Sequence, residues 1–172
     1  GNWGLVKLDR YSGEVECCRL YNVEFNSGQE GDGARLADDL NSTTNTSIII
    51  LISNGSPGRK RQDWGLADAI YRFGGSKEKY GNDDVMGEYS AYALIGTCDA
   101  GNPNHPSKGY EVLKSNIYNI YKDQIVHIEF ETVRNQDGYE LLECSSNDSH
   151  TASICCCDRD GYLLSTFHER SQ

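Results

Sequence analysis

The sequence predicts an α+β protein with two short helices and a β-rich C-terminal extension. Three observations carry this expectation. Ile48-Ile49-Ile50-Leu51-Ile52 is an unbroken aliphatic run bounded by loop residues, the pattern of a strand covered on both faces. Two segments, one at 34–40 and one opening near Asp63, repeat apolar residues at helical spacing. Elsewhere, short alternating stretches are separated by turn-forming residues. With 172 residues and 19.2 kDa, the chain has room for one main core.

Residues 3–8 alternate loosely, Asp9-Arg10-Tyr11-Ser12-Gly13 offers turn chemistry, and 14–23 alternates again, so the opening is a β-hairpin. A glycine-rich segment, 27–33, leads into a short amphipathic helix in which Leu36, Ala37 and Leu40 share one face. The polar loop 41–47 then delivers the aliphatic run as the central strand. Asn54-Gly55-Ser56-Pro57-Gly58 must turn. In the second helix, Asp63 is the expected N-cap, Trp64, Ala67, Ile70 and Tyr71 form the apolar stripe, and Gly74 is the stop. Tyr89-Ser90-Ala91-Tyr92-Ala93-Leu94-Ile95-Gly96 reads as another buried strand.

Residues 99–108 hold two of the three prolines, and a boundary is expected near 107, dividing a domain at 1–107 from an extension at 108–172 packed on it. In the extension, 124–132 alternates as Ile125-Val126-His127-Ile128-Glu129-Phe130. Asn135-Gln136-Asp137-Gly138 is a turn signal before 139–144. A second hairpin is expected from 151–157 and 162–167.

Sixteen basic residues against 26 acidic ones give a net charge of -10, and this field repels phosphate backbones, so nucleic acid is not an expected partner. The longest apolar run is far too short to cross a bilayer, which predicts no membrane span. The chain begins Gly1-Asn2-Trp3 without a basic and then apolar leader, so no signal peptide is expected in it. Seven cysteines, Cys17, Cys18, Cys98, Cys144, Cys155, Cys156 and Cys157, make an odd count with adjacent members that point to opposite faces of a strand. They read as small buried hydrophobes of a protein assembled in a reducing compartment. With no CxxC pair, no metal is expected.

Several constellations have competing bland readings. The turn after the central strand could hold an anion, but it lacks the Gly-Lys-Ser or Gly-Lys-Thr of a phosphate loop, and Arg59-Lys60-Arg61 reads as a solvated loop. Cys98 with His105, or Ser56 with a distant histidine, could be drawn as a nucleophile and base, yet no motif fixes either. His127, His150 and His168 are scattered. Asp83-Asp84 and Asp158 with Asp160 fit turn solvation better than a calcium loop. No catalytic residue and no cofactor is expected.

Trp3-Gly4-Leu5-Val6-Lys7-Leu8, Ser12-Gly13-Glu14-Val15, Ile48-Ile49-Ile50-Leu51-Ile52-Ser53-Asn54, Gly65-Leu66-Ala67-Asp68-Ala69-Ile70, Phe73-Gly74-Gly75-Ser76 and Ala91-Tyr92-Ala93-Leu94-Ile95-Gly96 follow one another in an order and spacing that resembles the interleukin-like EMT inducer domain, also called the GG domain. The resemblance covers roughly the first hundred residues. It implies a compact mixed α and β sandwich acting as a non-enzymatic module. Animal members are secreted or luminal, and one binds sugar in a glycosyltransferase stem. Related domains occur in bacteriophage tail fibre and tail tip proteins, and the 90–96 stretch and the cysteine usage look more like that group. Where family members often carry an acidic residue after the central strand and an arginine before the aromatic strand, this chain has Asn54 and Glu88 or Tyr89.

The placement implies a recognition or structural role in a phage tail, with a host surface glycan or receptor and other tail proteins as partners, and a possible homotrimer. A fibre spacer or assembly module is one alternative, and a secreted cytokine-like or sugar-binding animal domain is another. Tyrosine and tryptophan suit sugar stacking and protein contact. Together with the family placement, this makes Asn54, Ser56, Trp64, Tyr89 and Tyr92 the expected ligand-binding residues.

Overall fold

A strand whose every side chain is apolar needs cover on both faces, and residues 48–51 are buried throughout. The computed structural model describes residues 2–23, 32–54, 57, 60–87, 90–104, 109–115, 132–136 and 138–141. Its elements run β1 (Asn2–Asp9), β2 (Val15–Asn22), α1 (Asp32–Asn41), β3 (Ser47–Asn54), α2 (Leu66–Arg72), β4 (Ala91–Thr97), β5 (Tyr110–Lys114), β6 (Thr132–Asn135) and β7 (Gly138–Leu141). Strands β1 to β5 form one antiparallel sheet in the order β2-β1-β3-β4-β5, and β6 pairs with β7. The fold is α+β, with the isoleucine-rich strand at the middle of the sheet.

Register places the side chains in rows. On one face Arg19, Leu5, Leu51, Leu94 and Glu111 lie side by side across all five strands. On the other, the row is Cys18, Val6, Ile50, Ile95 and Tyr110. Both helices press on the first face: Leu36 and Leu40 of α1, and Leu66, Ala69 and Ile70 of α2, share one core with Trp3, Leu5, Ile49, Leu51, Tyr92 and Leu94. Period two in the strands meets period 3.6 in the helices, so the apolar stripes coincide.

The opening hairpin turns as its residues demand. Asp9 Oδ1 accepts the backbone N–H of Tyr11 at 2.8 Å and of Ser12 at 2.7 Å, and the Gly13 N–H returns to the Asp9 carbonyl at 2.8 Å. Helix α2 ends as expected at Gly74, whose φ of 94° is open to glycine. The Gly74 N–H reaches the Tyr71 carbonyl and the Gly75 N–H the Ile70 carbonyl, a Schellman closure. That end then sits directly on the sheet: a Cβ on Gly96 would lie 2.1 Å from the Phe73 carbonyl oxygen. Glycine there lets helix backbone touch strand backbone.

The start of α2 differs from the expectation. The helix begins at Leu66 with Gly65 as its N-cap, at φ 72°, and no side-chain cap; Asp63 caps nothing and instead lends its carbonyl to the Leu66 N–H. Trp64, with φ 57°, stands outside the helical stripe. Two successive left-handed residues break the spiral that periodicity extended backwards.

Strand β5 lies past the expected boundary at 107 and hydrogen-bonds to β4, so the main sheet runs into the C-terminal segment. The turn signal at 135–138 does join two strands, β6 and β7. The expected hairpin at 151–167 lies outside the described residues, as do Cys144, Cys155, Cys156, Cys157 and all four histidines. Cys17 and Cys18 are half-buried and Cys98 is buried. No helix among the described residues is long and apolar enough to cross a membrane.

Candidate functional site

The coil between β3 and α2 is held from below by aromatic side chains. Trp3, on β1, buries its ring completely and donates its indole N–H to the Pro57 carbonyl at 2.8 Å. Its ring meets Tyr80 and Tyr92 edge to face, with centroids 5.8 and 5.7 Å away, and Tyr80 and Tyr92 meet each other at 5.4 Å. Such contacts add about 0.5–1.5 kcal/mol each to the area buried.

Arg61 belongs to this floor and not to a solvated loop. It is only 4% exposed, its Nε donates to the Tyr80 carbonyl at 3.4 Å, and its Nη2 pairs with the Asp83 carboxylate. Tyr80 answers by donating its hydroxyl to the Arg61 carbonyl, and Gln62 Nε2 reaches Gly81 and Asp83 at 3.1 Å. A buried guanidinium must satisfy its donors, and this reciprocal clamp fixes the segment 60–63 against the turn 80–83.

Trp64 stands on that clamped segment. It is 38% exposed, and its backbone holds a left-handed conformation that costs a non-glycine residue about 1–2 kcal/mol. The indole lies against α1: a Cβ built on Gly33 would come within 2.4 Å of Trp64 Cε3 and 2.6 Å of Cζ3. Glycine at the first turn of α1 is therefore the seat of the ring. Lys60 Nζ lies 5.8 Å from the ring centroid, a cation–π distance. Chemically this is a rigid, half-open aromatic plate with an ammonium beside it, suited to stacking on an apolar sugar face while donating to its hydroxyls or carboxylates.

The other expected site residues fall differently. Tyr92 is wholly enclosed; its ring is core, and its hydroxyl donates to Glu111 Oε1 at 2.7 Å. It offers no face to solvent, because β4 is buried along its whole length. Asn54 closes β3, its backbone paired in register with Asn2, while its side chain, Ser56 and Tyr89 lie outside the described residues. The structure thus brings Trp64 to the surface and takes Tyr92 away from it. Sequence reasoning missed Gly33 as the ring's seat and Lys60 as its neighbour. A glycine opening a helix is so common in loops that it carries no signal of what leans on it.

No protein-family profile matches this chain, and no curated protein matches it.

Electrostatics around the plate are set by burial. It raises the Tyr80 hydroxyl above its ordinary range, and burial beside Glu111 raises Tyr92 well above it. Both stay protonated donors at physiological pH. Glu111 gathers its donors tightly: beside the Tyr92 hydroxyl, Oε1 accepts the Ser76 N–H at 3.1 Å, and Oε2 accepts the Ser76 hydroxyl at 2.7 Å. Cys98 Sγ accepts from Arg72 Nη2 at 2.8 Å, while its sequence partner His105 lies outside the described residues. Among the described residues, no three histidine, cysteine or acidic side chains are gathered to hold a metal.

Proposed function

We propose that this protein is a non-enzymatic recognition module of a bacteriophage tail fibre or tail tip, and that it contacts host surface carbohydrate through the plate formed by Trp64. The reading rests on the resemblance of residues 1–96 to the interleukin-like EMT inducer domain and on one observation of geometry: Trp64 is held half-open in a left-handed backbone, against Gly33 and beside Lys60. The segment that carries it is tied down at Arg61, which exchanges hydrogen bonds with Tyr80. On the strength of the resemblance, Asn54, Ser56 and Tyr89 are assigned to the same contact, while Tyr92 belongs to the core.

The test is a glycan array followed by titration of the best-bound host polysaccharide. Trp64→Ala is expected to lose at least tenfold in affinity, about 1.4 kcal/mol, with the fold intact by circular dichroism. Equal binding by Trp64→Ala, Tyr89→Ala and the unaltered protein rejects the site. A defined trimer in sedimentation that binds no glycan replaces the reading with that of a fibre spacer.

A further inference from the structure

Lys60 stands over the Trp64 ring, with Nζ 5.8 Å from the ring centroid. Among the described residues it makes no ion pair, so the ring itself is its partner. The flanking guanidiniums are committed elsewhere, Arg61 to Asp83 and Arg35 to Asp32. Asp32, which precedes the glycine that seats the ring, also accepts the Asn22 N–H at 2.8 Å, so its carboxylate is engaged as well. The plate thus presents an ammonium whose partner is a π face and not a carboxylate, in a chain of net charge -10.

Resting on the reading of Trp64 as a glycan plate, we propose that the plate selects sugars that carry a carboxylate, Trp64 stacking on the sugar face while Lys60 pairs with the acid. A ligand stacked on the face beneath Nζ takes the ammonium's place. A neutral sugar therefore removes the cation–π contact and returns only hydroxyls, which water already supplied. A carboxylate replaces that contact with a charge-assisted hydrogen bond, shorter and stronger than a neutral one. The flexible lysine stem lets Nζ swing from ring to ligand, while the Lys60 carbonyl stays bonded to the Asp63 N–H at 3.0 Å. The negative net charge repels a polyanion at long range, but salt screens that field beyond about 8 Å at physiological ionic strength. Selection is then decided by the groups at the plate.

The experiment titrates the whole chain with polygalacturonate, hyaluronan and polysialic acid, each beside its carboxyl-reduced neutral form, read by calorimetry and tryptophan fluorescence. At least one acid is expected to bind about threefold or more tightly than its reduced form. Lys60→Gln should abolish that difference and Lys60→Arg keep it, whereas Trp64→Ala should weaken both forms. Equal affinity for acid and reduced form, or a preference that survives Lys60→Gln, would overturn the proposal and leave the glycan plate standing if binding still depends on Trp64. Acid binding untouched by Trp64→Ala would overturn the plate itself. Failure of all the acids to bind would overturn the preference, and the plate falls with it only if neutral glycans fail too.

Discussion

The indole N–H of Trp3 donates to the carbonyl of Pro57, 54 residues away, at 2.8 Å, and so ties the first strand to the coil that follows the central strand. Both groups are buried. Trp3→Phe keeps most of the ring volume but strands the Pro57 carbonyl, and is expected to destabilise the protein by about 1–3 kcal/mol. Urea denaturation at an unchanged m-value measures this. A loss below a few tenths of a kcal/mol would mean that water replaces the bond.

Gly96 is where strand β4 meets the end of α2. A methyl group there would press on the Phe73 carbonyl oxygen, which is backbone and cannot swing aside. Gly96→Ala is expected to cost about 1–3 kcal/mol through overpacking, read as a lower Tm. An unchanged Tm would show that helix and strand can part freely at this point.

Gly33→Ala is expected to behave in the opposite way. Its methyl would displace only the rim of the Trp64 ring, and alanine favours the helix by about 1 kcal/mol over glycine. Stability should hold while the emission of Trp64, one of two tryptophans, shifts. If the plate binds glycan, affinity falls with the shift. Unchanged fluorescence would place the ring elsewhere.

Asp39 joins α1 to the sheet. Its Oδ2 accepts the Tyr21 hydroxyl and Arg19 Nη1, and its carbonyl accepts Lys7 Nζ at 2.7 Å and the Thr43 hydroxyl at 2.7 Å. Partial burial works to raise the carboxyl, but the hydrogen bonds from Tyr21 and Arg19 outweigh it and hold the group below its usual 3.8. A lowered folded value means that the stabilisation is present above pH 3.8 and is lost as the pH falls through the folded value. Asp39→Asn is expected to be less stable than the unaltered protein at pH 7, with the gap closing below pH 3.8. A pH-independent gap in chemical denaturation would remove the ionic part of this account.

Much of the fold could be read from the chain because it is written in local chemistry. Five β-branched or leucine residues bounded by loop residues favour a covered strand, Asp9 to Gly13 favours a turn, and Gly74 ends its helix because glycine accepts the left-handed backbone. The site was less legible. Sequence reasoning put Trp64 on a helical stripe and Tyr92 in a buried strand, and assigned both to the same contact. Strand register buries the first under two helices, and a broken helix start lifts the second to the surface.

The sequence by itself determined the opening hairpin, the two helices, the central place of residues 48–52, the buried strand at 91–96 and the acidic charge balance. Only the tertiary structure decided which aromatic ring stays open, that Arg61 is enclosed with its donors satisfied, and that β5 extends the main sheet. The physical reason is range. Periodicity and turn chemistry act over a few residues, whereas burial depends on what distant segments bring together: Gly33 under Trp64, Tyr80 under Arg61, and Trp3 beneath Pro57.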